Sequence, residues 1–88
     1  MSREYPYISL QTVEKYIPEM EVRGVSEVAR SPRGFISAYR RAGGKPSNLS
    51  TFWRVKRNGF IARHLATYKP DSKHERQRLA LIAWAYMP

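Results

Sequence analysis

The chain has 88 residues, 16 of them Lys or Arg against 7 Asp or Glu, giving a formal charge of +9, and it has no cysteine. That length admits one domain with a modest core, and the missing cysteine excludes disulfides and thiolate metal sites. The longest nearly apolar run, Leu79 to Met87, is 9 residues, less than half of the ~20 that a membrane helix requires, and Met1 to Leu10, interrupted by Arg3, Glu4 and Pro6, does not read as a signal peptide.

The charge is unevenly placed. Residues 1–29 carry Arg3, Lys15 and Arg23 against Glu4, Glu14, Glu19, Glu21 and Glu27. Residues 30–88 carry 13 cations against Asp71 and Glu75, and no acid occurs between Val28 and Pro70. A long basic stretch without local counter-charge points to a polyanionic partner; the bland alternative is a basic protein with a solvated surface. The chain divides into an acidic lead-in with a first helix, residues 1–24, and a basic helical core, residues 26–88, within a single domain spanning residues 1–88.

Taken in order, Met1 to Ile8 reads as an irregular or extended lead-in, because Pro6 biases Tyr5 away from helical backbone, and Tyr5, Tyr7 and Ile8 suit a strand edge or a packed arm. Ser9 is placed to cap a helix over Leu10–Ile17, in which Leu10, Val13, Tyr16 and Ile17 fall at helical spacing. Pro18 lacks an N–H and is expected to end it. Glu19–Gly24 then reads as an acidic linker, or as a counter-charge lying against the basic part. Ser26 is placed to cap a single turn through Ala29. Ser31-Pro32 has the form of a helix start, a capping serine followed by proline at the first helical position, and Gly43-Gly44 has the form of a stop. The expected helix, residues 32–42, puts Phe35, Ala38, Tyr39 and Ala42 on one stripe with Ile36 beside it, and Arg33, Ser37, Arg40 and Arg41 opposite.

Lys45-Pro46-Ser47-Asn48 is turn chemistry, and Ser47 or Ser50 is placed to cap the next element. Residues 50–68 interleave cations with rings and admit two readings. In one they form a helix with Trp53, Phe60, Ile61, Leu65 and Tyr68 on a broad apolar face, at a cost of about 1 kcal/mol for Gly59. In the other, Asn58-Gly59 turns a short β-hairpin. Arg63-His64-Leu65-Ala66 and the lack of clean alternation favour the helix. Lys69-Pro70-Asp71-Ser72 reads as a loop with Asp71 or Ser72 as the next cap, and Glu75 stands three residues after Ser72, at capping-box spacing. The last helix, Lys73–Tyr86, begins polar and becomes apolar on every side. It must therefore be buried on every side, either as the core element or in a homo-oligomer interface through Leu79–Met87.

The fold expected is thus mostly α, a small bundle of three to four short helices. No catalytic residue, cofactor or metal site is expected. His64 and His74 stand ten apart, a spacing that does not place two ligands on one helical face. No serine sits in a Gly-x-Ser-x-Gly turn, the acids do not cluster as a Mg²⁺-dependent nuclease requires, and Gly43-Gly44-Lys45-Pro46 lacks the Walker spacing.

Binding is the function that remains. Arg33, Arg40, Arg41 and Lys45 surround the first basic helix and its exit turn, and Arg54, Lys56, Arg57 and Arg63 lie on the central element. Together they make up the expected nucleic-acid-binding set, most suited to phosphate contacts with duplex DNA. Helices 32–42 and 50–68 could form a helix-turn-helix, although the connection from Gly43 to Leu49 is long for one. Lys56-Arg57, with Phe60-Ile61-Ala62-Arg63-His64 just after it, resembles a basic segment of small bacteriophage-encoded proteins, most without assigned function. That resemblance implies life in the bacterial cytoplasm or in a virion. It also supports an alternative partner, an acidic surface of a host nucleic-acid-handling or defence protein or of a virion component.

Overall fold

The computed structural model describes residues 4–68 and 75–88. Its elements are α1 (Leu10–Arg23), α2 (Glu27–Arg30), α3 (Phe35–Arg41), a 3-10 turn (Pro46–Asn48), α4 (Thr51–Thr67) and α5 (Glu75–Ile82). No strand occurs among the described residues, and the molecule is a small all-helical bundle. The expected loop at Lys69–Ser72, the Ser72–Glu75 capping box and the helical start at Lys73-His74 lie outside the described residues.

Ser9 caps α1, its hydroxyl accepting from the Thr12 N–H at 3.1 Å. Pro18 does not end this helix, which runs on to Arg23. Glu19–Arg23 is therefore its last turn and not a linker. Two features outweigh the proline's missing hydrogen bond: Met20 is fully buried in the core, and Gly24 (φ 63°) closes the helix. The Gly24 N–H donates to the Glu21 carbonyl and the Val25 N–H to that of Met20, so the carbonyls orphaned at the helix end are satisfied by a left-handed glycine.

A second correction concerns Ser31-Pro32. Ser31 ends α2 instead of starting α3: its N–H and its hydroxyl both donate to the Val28 carbonyl, at 3.2 and 2.7 Å. The Gly34 N–H then donates to the Ser31 carbonyl at 2.9 Å. Ser, Pro and Gly thus occupy positions one, two and four of a turn, the arrangement favoured in type I turns. Helix α3 starts only at Phe35, with Gly34 as its cap. A Cβ on Gly34 would stand 2.1 Å from the Val28 carbonyl oxygen and 2.4 Å from that of Ala29, so the α2–α3 approach depends on glycine here. Ser26 precedes α2 with φ 59°, and its side chain makes no cap bond. Gly43 and Gly44, both at positive φ, end α3 as their sequence indicates.

Residues 51–67 form one continuous helix through Asn58-Gly59, so the hairpin does not form. The Ser50 hydroxyl accepts from the Trp53 N–H at the start of α4. The core is one cluster that draws on α1, α3, α5 and the segments between them. Rings dominate it. Phe35 meets Trp84 at 5.1 Å, Tyr39 at 5.6 Å and Trp53 at 6.1 Å, and Trp84 stacks on Phe60 at 4.6 Å. In the apolar run, Leu79 and Leu81–Ala85 are buried within the chain. It is the core element, and of the run Leu79–Met87 only Ala80, Tyr86 and Met87 are partly or fully exposed. The lead-in packs as an arm and not as a strand: Ile8 N–H donates to the Ala85 carbonyl, and the Ile8 carbonyl accepts from the Tyr39 hydroxyl, both at 2.9 Å.

Candidate nucleic-acid interface

Arg57 leaves the expected binding set first. It is 0% exposed. Its Nε donates to the Trp84 carbonyl at 2.6 Å, Nη1 to Tyr5 at 2.8 Å, and Nη2 to Pro6 and Ala85 at 2.7 and 3.0 Å. The guanidinium lies 3.6 Å from the centre of the Tyr7 ring. Four carbonyls and a ring face compensate its burial, which a cation without partners could not tolerate. Burial pulls its pKa below the ordinary arginine value. Arg57 is thus an internal clamp between the arm, α4 and the turn after α5, and not a phosphate contact. The signal was in the spacing: Arg57 stands four residues after Trp53 and four before Ile61, on the inward face.

The other seven cations are all exposed. Two of them are paired. Arg40 Nε donates to Glu14 Oε1 at 3.0 Å, joining α3 to α1, and Arg54 pairs with Glu4 of the arm. The internal counter-charge therefore comes from Glu4 and Glu14 and not from the Glu19–Gly24 segment, where Glu19 and Glu21 are exposed and pair with no described cation. The Arg54 guanidinium holds the Glu4 carboxyl below its ordinary range. Exposed pairs of this kind contribute little to stability, so a phosphate can displace them. Arg33, Arg41, Lys45, Lys56 and Arg63 make no ion pair with any described acid.

Trp53 is shared by two basic groups: it lines a cleft with Arg41, and its ring lies near the Lys56 ammonium. Arg41 of α3 and Trp53 of α4 line a cleft of ≈ 560 Å³, with Asn48, Leu49 and Ser50 along its edge. On the same helix the Lys56 ammonium stands 5.5 Å from the Trp53 ring and 5.4 Å from that of Phe52. Phe52 is 63% exposed and meets Trp53 edge-on at 5.3 Å. Phe52 was no part of the expected set, and the signal for it is its position one residue outside the inward stripe of Trp53, Arg57, Phe60 and Ile61. Trp53 itself faces mainly inward, against Phe35 and Trp84. Arg33 and Lys45 sit in the turns before and after α3 and do not line this cleft.

Arg63 borders a different hollow, of ≈ 580 Å³, with Arg76, His64 and Ser26. His64 stacks on Phe60 at 3.9 Å, and its Nδ1 lies 3.1 Å from the Phe60 carbonyl. No cluster of three metal-ligating side chains occurs among the described residues. A third hollow, of ≈ 760 Å³, lies between the arm and α4, lined by Tyr5, Pro6, Val55, Gly59 and Ala62. No helix of the described residues is long and apolar enough to cross a membrane. No protein-family model, curated protein or solved structure matches the chain.

Proposed function

We propose that the protein binds nucleic acid without catalysing a reaction, holding it mainly by phosphate contacts, with duplex DNA as the first ligand to test. The observation that supports this reading is the group of five exposed cations, Arg33, Arg41, Lys45, Lys56 and Arg63, without an ion-pair partner among the described acids. Such cations gain from displacing the counterions condensed on a polyanion. Arg40 and Arg54 join them once released from Glu14 and Glu4. The resemblance of Lys56–His64 to bacteriophage proteins would place this binding in the host cytoplasm or the virion.

Titration of a labelled duplex at several salt concentrations tests the reading. Five phosphate contacts give log K a slope against log salt of about −4.5, and recruitment of Arg40 and Arg54 steepens it to about −6. Replacing Arg41 and Lys56 together by Gln reduces the slope by about 2. No binding at ~50 mM salt overturns the reading. A second reading, docking on an acidic host or virion protein, draws on the same exposed cations, with Val55, 64% exposed at the hollow between arm and α4, as an apolar contact such a protein could cover. A pull-down from nuclease-treated lysate separates the two, because only a protein partner survives digestion.

A further inference from the structure

We infer that the exposed ring of Phe52, whose neighbour Trp53 lines the cleft between α3 and α4, stacks on an unpaired base, so that single-stranded nucleic acid is held more tightly than duplex of equal phosphate number. This inference rests on the nucleic-acid reading above and sharpens it from charge to form. Phe52 stands 63% exposed on a helix whose neighbouring ring Trp53 turns inward, and it is the aromatic one among the large hydrophobic side chains left exposed in the described residues. It is flanked by a cation, Lys56, whose ammonium lies near both the Phe52 and the Trp53 rings.

The adjoining cleft supplies the remaining groups. Its ≈ 560 Å³ falls within the ~300–1,000 Å³ of small-molecule clefts. Arg41, unpaired among the described acids, stands at its wall for a phosphate. Asn48 donates one amide N–H to the Ala42 carbonyl at 3.2 Å, which leaves its second N–H and its oxygen for the edge of a base. Stacking on an aromatic face tolerates any base, and cations beside the ring grip the backbone on either side. In a duplex the faces of the bases are stacked on each other, and only the phosphates and groove edges can reach this surface.

The test compares four ligands of about 12 units at one salt concentration: an oligothymidylate, an abasic strand of the same length, a blunt duplex of equal phosphate number, and inorganic polyphosphate. Binding is read by anisotropy of the labelled ligand and by quenching of tryptophan fluorescence, for the wild type and for Phe52→Ala. Phe52 is exposed, so the thermal midpoint of the variant should match the wild type. The inference expects the oligothymidylate to bind at least about tenfold more tightly than the abasic strand and the duplex. It also expects Phe52→Ala to remove at least about tenfold of that affinity while leaving the abasic strand and the duplex within about twofold. Equal binding of all four ligands, or an unchanged oligothymidylate affinity in Phe52→Ala, overturns the stacking inference and leaves phosphate binding standing. Absence of binding to all four at ~50 mM salt overturns both.

Discussion

Arg57 shows how much one side chain can organise in a chain this small. Its donors tie four carbonyls, two in the arm and two in the turn after α5, to the middle of α4. Arg57→Ala removes those bonds, leaves buried carbonyls unsatisfied and opens a cavity. It should lower stability by about 3–5 kcal/mol, read in a urea titration. Arg57→Lys retains the charge but not the planar fork, so it should recover only part of that loss. Neither change removes an exposed phosphate contact. A folded Arg57 variant should therefore retain the wild-type salt slope, whereas loss of about one unit of slope would place Arg57 back on the surface. Gly34 is constrained by space instead of charge. Gly34→Ala sets a methyl against the Val28 and Ala29 carbonyls and should cost about 1–3 kcal/mol, since the clash is with backbone that must move.

At the scale of elements, local signals succeeded where tertiary contacts agreed with them. Ser9 and Ser50 cap the helices they precede, and the glycine pair ends α3. Asn58-Gly59, a hairpin signal when taken alone, lies inside a helix because Trp53, Phe60 and Ile61 on either side need one common face to reach the core. Asn58 also repays its place there: its Oδ1 accepts the Tyr5 N–H at 3.2 Å, anchoring the arm. Gly59 lacks positive φ, and a Cβ there would meet only the flexible end of Arg63 at 3.2 Å. Gly59→Ala should therefore stabilise the protein by about 0.5–1 kcal/mol, a rise in Tm of several degrees for a domain of this size. An unchanged or lower Tm would mean that the arm and the Arg63 side chain cannot accommodate the added methyl.

At the scale of the whole molecule, the arm meets α3 through two hydroxyl-bearing rings, Tyr7 and Tyr39, whose centres lie 6.1 Å apart. Burial raises the pKa of both Tyr7 and Tyr39 above the ordinary tyrosine value. A raised folded-state pKa favours the neutral form in the native protein. The stability this gives is fully present below pH ~10 and is lost as pH rises through the higher folded-state values. Unfolding free energy should fall on the alkaline side of about pH 10, and Tyr39→Phe should flatten that fall in urea titrations run from about pH 8 to 11. The same variant loses the hydroxyl bond to the Ile8 carbonyl, so its stability at neutral pH should be lower by about 1 kcal/mol.

Composition and periodicity alone determined the helical class, the start of α1 and the basic character of residues 30–88, and they favoured a helix over residues 50–68 and a buried C-terminal run. These come from local rules, because the spacing of apolar residues selects the helix and the helix fixes which face is buried. The extent of α1 beyond Pro18, the turn at Ser31–Gly34 and the inward place of Arg57 were decided only by the tertiary structure. In each case a distant group outweighs the local preference: the core site for Met20, the α2 carbonyls against Gly34, and the four carbonyls that the arm and the C-terminal turn present to Arg57. The candidate site divides in the same way. That cations would be abundant on α3 and α4 was legible from the residues. Which of them remain unpaired depended on where the arm and α1 deliver Glu4 and Glu14. A charge acquires its role from what the fold sets beside it.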